Sequence, residues 1–224
     1  MKKFKILNLY ACLGGNRYKW DEVGIEANLN LEITAVEIDE ELAKLYQERF
    51  PNDKIVIADA HQYLIENYKK FDFIWSSPPC PSHSKSRFAN ASSDKTKTKP
   101  IYPDLKLYEE IIFLQHYYTN GKYVVENVYP FYEPLIAGKK RGRHIYWTNF
   151  NIPNEIGRLS PMMETKGDMP RWCEFHEYDF YKYKGSQRTQ KIARNLVDYE
   201  AGRTILEIAL GIIRKSNPKQ LDLF

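Results

Sequence analysis

The chain of 224 residues is 43% hydrophobic with a formal charge of +4, enough to close one core of ordinary size but not obviously two, so one main domain with an embellishment is expected. No apolar run approaches the roughly 20 residues of a bilayer-spanning helix, and Met1-Lys2-Lys3-Phe4 leads into no apolar signal region, so a cytoplasmic protein without a membrane partner is expected. Cys12, Cys80 and Cys173 show no CxxC or Cys/His pairing at metal-ligand spacing, which argues against a disulfide frame and a zinc site and predicts free thiols and no metal. The charge is too mildly basic to separate a nucleic-acid enzyme from any other globular protein.

In chain order, apolar β-rich runs predict strands at residues 4–10, 31–37, 54–57, 71–75, 123–125 and 144–147, with helical stretches between most of them. Within 104–118, Leu107, Ile111, Leu114 and Tyr118 recur at helical spacing, and Pro103-Asp104 makes a helix start. A closing helix carries Ile205, Ile208, Ala209 and Ile212 on one face. This alternation predicts an α/β fold, a mostly parallel sheet with helices on both faces. Two stretches interrupt it. Residues 82–103 set Lys85, Arg87, Lys95, Lys97 and Lys99 against Asp94 alone and read as a mobile loop. Residues 149–186, broken by Pro153, Gly157, Pro161, Gly167 and Pro170, read as a small appended region.

The first strand runs into a glycine turn, with Tyr10, Ala11, Leu13, Gly14 and Gly15 placed where a doubly wound sheet holds part of a cofactor. An ordinary tight turn is the alternative. Glu37, followed by Ile38, ends the second strand, where a carboxylate can accept from both hydroxyls of a ribose; Asp59-Ala60 ends the third. The fourth strand enters Ser76-Ser77-Pro78-Pro79-Cys80-Pro81, a cysteine on a stiff backbone beside the cofactor crevice. Most lone cysteines are inert small residues. Here Glu126-Asn127 ends a further apolar strand and Arg141-Gly142-Arg143 precedes the next, so a thiol, a carboxyl and a guanidinium share one sheet edge.

These elements in this order resemble the DNA cytosine-C5 methyltransferase family, in the small form found in phages and mobile elements, over most of the chain. The glycine turn stands for the first motif, Glu37 and Asp59 for the adenosine-binding acids, and Pro79-Cys80 for the catalytic dipeptide. Glu126-Asn127-Val128 matches the ENV signature, Arg141-Gly142-Arg143 looks like the RxR element, and Arg194-Asn195-Leu196-Val197 resembles the last motif. Two departures stand out: Cys12 and Arg194 occupy positions where the family usually has glycine. The resemblance implies a Rossmann-like class I methyltransferase fold, with a catalytic domain of residues 1–148 and 187–224 and a reduced target-recognition region at 149–186.

It further implies S-adenosylmethionine as cofactor, held by the turn, the two acids, Pro79, Asn195 and Val197. Double-stranded DNA is the implied partner, in a bacterial or phage-infected cell, and the enzyme is expected to be monomeric. Cys80 would add to carbon 6 of a flipped-out cytosine, with Glu126, Asn127, Arg141 and Arg143 as the other catalytic residues. Ser82, Lys85, Arg87, Lys182, Lys184 and Arg188 are the expected nucleic-acid contacts. Three other readings stay open: an RNA cytosine substrate, a non-catalytic nucleic-acid binder, and an amino-methyltransferase. The last needs an aromatic residue after Ser77-Pro78-Pro79, where this chain has Cys80.

Overall fold

In the computed structural model, which describes residues 1–85, 88–89, 102–158, 161 and 169–212, seven strands form one sheet in the order β3-β2-β1-β4-β5-β7-β6. Strands β1 (Lys2–Leu9), β2 (Leu29–Glu37), β3 (Lys54–Ile57), β4 (Phe73–Ser76) and β5 (Lys122–Val128) run parallel, while β7 (His144–Thr148) pairs antiparallel with β5 and with β6 (Lys139–Arg141). The expected α/β, Rossmann-like architecture is therefore present. Among the described strands, β6 is the one that sequence patterning did not predict. Its residues, Lys139-Lys140-Arg141, are all basic, a composition that suits an unpaired sheet edge but carries no strand signal.

Alternation along the strands sends successive side chains to opposite faces. In β1, Leu7 and Leu9 pack on one side with Leu64 of α3 (Ala60–Asn67) and with Leu107, Ile111 and Leu114 of α4 (Lys106–Tyr117). Ile6 packs on the other side with Trp20 and Val23 of α1 (Trp20–Glu26) and Ile205 and Leu206 of α7 (Tyr199–Ala209). Both faces are thus covered, as a parallel sheet requires.

Helix α4 begins two residues later than its Pro103-Asp104 signal. The Asp104 carboxylate accepts the Lys106 N–H at 3.1 Å within that entry. A further core joins Leu13 of the glycine turn to Leu42 and Leu45 of α2 (Glu40–Arg49), to Met169 and Trp172 of α5 (Met169–His176), to Phe180 and Tyr183, and to Ile192, Ala193 and Leu196 in and after α6 (Thr189–Asn195). The described part of 149–186 therefore shares its apolar packing with the glycine turn, a placement its irregular pattern did not reveal. Among the described residues no helix is long and apolar enough to cross a membrane.

Candidate active site

The glycine turn has a specific backbone shape. Tyr10, Cys12 and Gly14 have φ of 55°, 48° and 66°, alternate left-handed residues within one turn. Cys12, at a position where the resembled family has glycine, adopts the conformation glycine favours, so the turn keeps its shape at a cost of roughly 1–2 kcal/mol. The Glu37 carboxylate holds this turn against β2: it accepts the Cys12 N–H at 2.8 Å and the Ile38 and Asp39 N–H groups, both at 2.9 Å. Burial still pushes its carboxyl above the usual range, against the lowering effect of those three bonds. Gly15 is needed for space, since a Cβ there would lie 2.2 Å from the Val197 carbonyl oxygen.

A cleft of about 190 Å³ opens at the carboxyl edge of the sheet, bordered by Tyr10 after β1, Glu37 and Ile38 at the end of β2, Asp59, Ala60 and His61 after β3, and Pro78 and Pro79 after β4. Val36, Ala58, His83, Asp104, Lys106 and Leu107 complete its wall. Strand order reverses between β1 and β4 here, the usual position of a ligand in an open parallel sheet. One oxygen of Asp59 caps α3 by accepting the Gln62 N–H at 2.9 Å. Of the expected cofactor contacts, Tyr10, Glu37, Ile38, Asp59, Ala60 and Pro79 border the cleft. Ala11, Leu13, Gly14 and Gly15 build the turn behind it, with Leu13 fully buried in the core.

Sequence reasoning missed a buried carboxylate that lies behind the cleft and holds two of its lining residues, Tyr10 and His61. Glu110 of α4 is fully buried and accepts from the Tyr10 hydroxyl at 2.5 Å and the Ser76 hydroxyl at 2.6 Å, with His61 Nδ1 at 3.2 Å. The Glu110 contact holds the His61 imidazole above its usual pKa. Glu110 falls beside Ile111 in an otherwise apolar helical pattern. A charge at a core-facing position was the available signal.

The loop after β4 carries Cys80. Strand β5 runs three residues past its last partner on β4, because Ser76 pairs with Val125, so Glu126, Asn127 and Val128 overhang that loop. Asn127 uses the overhang to donate to the Pro78 carbonyl at 2.9 Å, fixing the backbone two residues before the thiol. Burial and the Glu126 carboxylate push the Cys80 thiol up to about 11, while Arg143 and Lys191 act in the lowering direction. Arg143 thus pulls as expected, but the effect of burial is larger. The thiol also lies 3.9 Å from the Asn195 amide oxygen, and Arg143 donates to the Arg194 carbonyl at 3.2 Å. Asn195 and Val197, expected at the cofactor, do not border the cleft; Asn195 meets Cys80 and the Val197 carbonyl packs on Gly15. His144 Nε2 stands 3.5 Å from Glu126, a neighbour visible only once the diagonal β5–β7 register is known.

Arg141 and Ser82 have other engagements. The Arg141 guanidinium donates to the carbonyls of Ile152, at 3.1 Å, and Pro153, which spends its charge on holding the chain after β7. Ser82 is buried and its hydroxyl accepts the Asp104 N–H at 3.1 Å, because the loop start folds back on the entry to α4. Its hydroxyl does not face solvent as an expected nucleic-acid contact would. Lys85, Lys182, Lys184 and Arg188 are exposed, and Lys85 Nζ lies 5.1 Å from the centre of the Tyr129 ring. Lys140 approaches the same ring at 4.6 Å. Arg87, Lys95, Lys97 and Lys99 lie outside the described residues. The three cysteines are free thiols, and no group of His, Cys, Asp or Glu among the described residues could hold a metal ion.

Among solved structures, the chain is similar to Spodoptera frugiperda DNMT2, with 26% identity and a TM-score of 0.40 over 56% of this chain and 35% of that one. It is also similar to the Entamoeba histolytica methyltransferase EhMeth, with 18% identity and a TM-score of 0.38 over 57% and 39% of the two chains. The matched part is little more than a third of the length of either. A search of curated proteins finds no match. The model for the C-5 cytosine-specific DNA methylase family matches residues 4–128, from the first strand through the Glu126-Asn127-Val128 triplet. The chain belongs to the C-5 cytosine-specific DNA methylase family.

Proposed function

We propose that the protein is a DNA cytosine-C5 methyltransferase that uses S-adenosylmethionine and a covalent Cys80 adduct. One observation carries the reading: at the switch point of the sheet, Cys80 is held on a proline-stiffened loop where both Glu126 and Arg143 act on its thiol. The cleft beside it suits an adenosyl group, with acids at the ends of β2 and β3 and apolar walls from Tyr10, Ala58, Pro79 and Leu107. S-adenosylmethionine would supply the methyl group.

Carbon 5 of cytosine is a poor nucleophile, and addition of the Cys80 sulfur to carbon 6 makes it a good one. The thiol proton passes in net to ring N3 through Glu126, and Arg143 holds the carbonyl oxygen. After carbon 5 is methylated its proton is lost to water, the carbon–sulfur bond breaks, the ring regains its double bond, and the N3 proton returns through Glu126 to the released sulfur. The target cytosine must leave the duplex to reach Cys80, at a cost of a few kcal/mol. The exposed Lys85, Lys182, Lys184 and Arg188 are the proposed phosphate contacts that offset it. Residues 149–186 are the proposed target-reading part of a monomeric enzyme whose catalytic unit is 1–148 with 187–224.

Labelled methyl transfer measured side by side on duplex DNA and on tRNA tests the substrate. Label in the DNA, at carbon 5 by bisulfite-type mapping, is the expected result; label in tRNA alone moves the protein to RNA. A second expectation concerns the cofactor. Glu37→Ala weakens S-adenosylhomocysteine binding by about 1.5–3 kcal/mol if the carboxylate accepts the ribose hydroxyls. Because Glu37 also holds the Cys12 N–H, thermal unfolding of the variant must be recorded beside the calorimetry. An unchanged dissociation constant would place the ribose elsewhere.

A further inference from the structure

Glu110 is fully buried on α4, yet no step of the proposed reaction uses it. Leu107, Ile111 and Leu114, around it in the helix, are all apolar and buried. A carboxyl group in such a position loses its hydration, and a well-packed apolar side chain of similar size would serve the core as well or better. Its contacts are what distinguish it. Oε1 accepts from the Tyr10 hydroxyl at 2.5 Å and stands 3.2 Å from His61 Nδ1, and Oε2 accepts from the Ser76 hydroxyl at 2.6 Å.

These three partners come from three strand ends. Tyr10 follows β1, His61 lies in the first turn of α3 after β3, and Ser76 closes β4 immediately before Ser77-Pro78-Pro79. Helix α4 itself supplies Lys106 and Leu107, one turn before Glu110. Tyr10, His61, Pro78, Pro79, Lys106 and Leu107 all border the cofactor cleft, and Glu110 does not, so it acts on the cleft through the residues it holds. Tyr10 depends most on that tie. Its backbone lies in the left-handed region, with φ of 55°, and its ring is only partly buried, packed on the core and bordering the cleft. Burial and Glu110 both push the pKa of its hydroxyl upwards, so the proton of this bond stays in place across the neutral range. A side chain held in its bound position before the ligand arrives spares the binding step the cost of ordering it.

We propose that Glu110 is a positioning residue for the cofactor, fixing Tyr10 and His61 where they border the cleft; this rests on the S-adenosylmethionine reading above. A role in the fold alone would lower thermal stability and leave cofactor affinity as it is.

The test is calorimetry of S-adenosylhomocysteine, with thermal unfolding, on the full chain and on Tyr10→Phe, Glu110→Met, Glu110→Gln and the Tyr10→Phe/Glu110→Met double variant. Tyr10→Phe removes one oxygen and is expected to bind about fivefold more weakly, the cost of ordering one side chain. Glu110→Met, which also releases His61, is expected to lose at least as much, and adding Tyr10→Phe to it costs nothing further, because the shared contact is already gone. Glu110→Gln keeps an oxygen that accepts from Tyr10 and is expected to bind within about twofold of the unaltered protein. Unchanged affinity in Tyr10→Phe overturns the inference, whatever happens to its melting temperature. So does equal weakening by Tyr10→Phe with and without Glu110, or binding by Glu110→Gln as weak as by Glu110→Met. If Glu110→Met does not fold, Tyr10→Phe and Glu110→Gln decide. Failure of S-adenosylhomocysteine to bind the unaltered protein overturns the cofactor reading and the inference with it.

Discussion

Replacing Cys80 by serine abolishes methyl transfer and leaves S-adenosylhomocysteine binding nearly unchanged. The first half follows from nucleophilicity: a serine hydroxyl in the same place, without an adjacent strong base, is far harder to ionise than a thiol. The second follows from position, since Pro78 and Pro79 border the cofactor cleft and Cys80 does not. Burial and Glu126 place the free thiol at about 11, so alkylation of Cys80 in the ligand-free protein rises about tenfold per pH unit through neutrality. Labelled transfer, calorimetry and peptide mass spectrometry read the three quantities. Transfer by Cys80→Ser at a near-native rate would end the covalent mechanism.

The parts of this molecule that were legible in the sequence are those with a period or a fixed local geometry. Strands β1 to β5 declared themselves through apolar runs between helical patterns, and β7 through 144–147, because burial on both faces demands such runs. Pro79-Cys80, Glu126-Asn127 and Arg143 were legible for another reason. Each stands at the end of a strand or in a neighbouring turn, so topology alone brings them to one edge.

What stayed hidden depends on contacts between segments far apart in sequence. His83 sits in a stretch whose Ser and Lys content reads as solvated, yet Tyr132, forty-nine positions later, buries and orients it. Ser82 was misjudged by the same composition, because its hydroxyl meets the Asp104 N–H across 22 positions. Arg141 and Arg143 are equivalent on paper. Strand β6 includes Arg141 and turns its guanidinium to Ile152 and Pro153, while Arg143 lies in the turn after it and reaches the Arg194 carbonyl. A pattern of charges cannot tell which of two arginines a hairpin will spend on structure.

DNA containing 5-fluorocytosine traps the protein in a denaturant-resistant complex, formed only with S-adenosylmethionine present and never by Cys80→Ala. The expectation comes from the order of bond making. Addition of Cys80 to carbon 6 and methylation of carbon 5 both proceed on the fluorinated ring, but release of the cysteine requires a proton to leave carbon 5. Fluorine in its place cannot leave as a cation, so the carbon–sulfur bond persists through denaturation. The competing chemistries have no such intermediate: an amino-methyltransferase forms no bond to the ring, and a binder without activity gives complexes that dissolve in high salt as phosphate contacts weaken. Gel electrophoresis under denaturing conditions reads the outcome directly. Trapping on fluorinated RNA and on no DNA sequence tried would retain the mechanism and change the substrate. Absence of any adduct, in protein shown to bind S-adenosylhomocysteine, would leave Glu126 and Arg143 arranged around a thiol that forms no bond to the base.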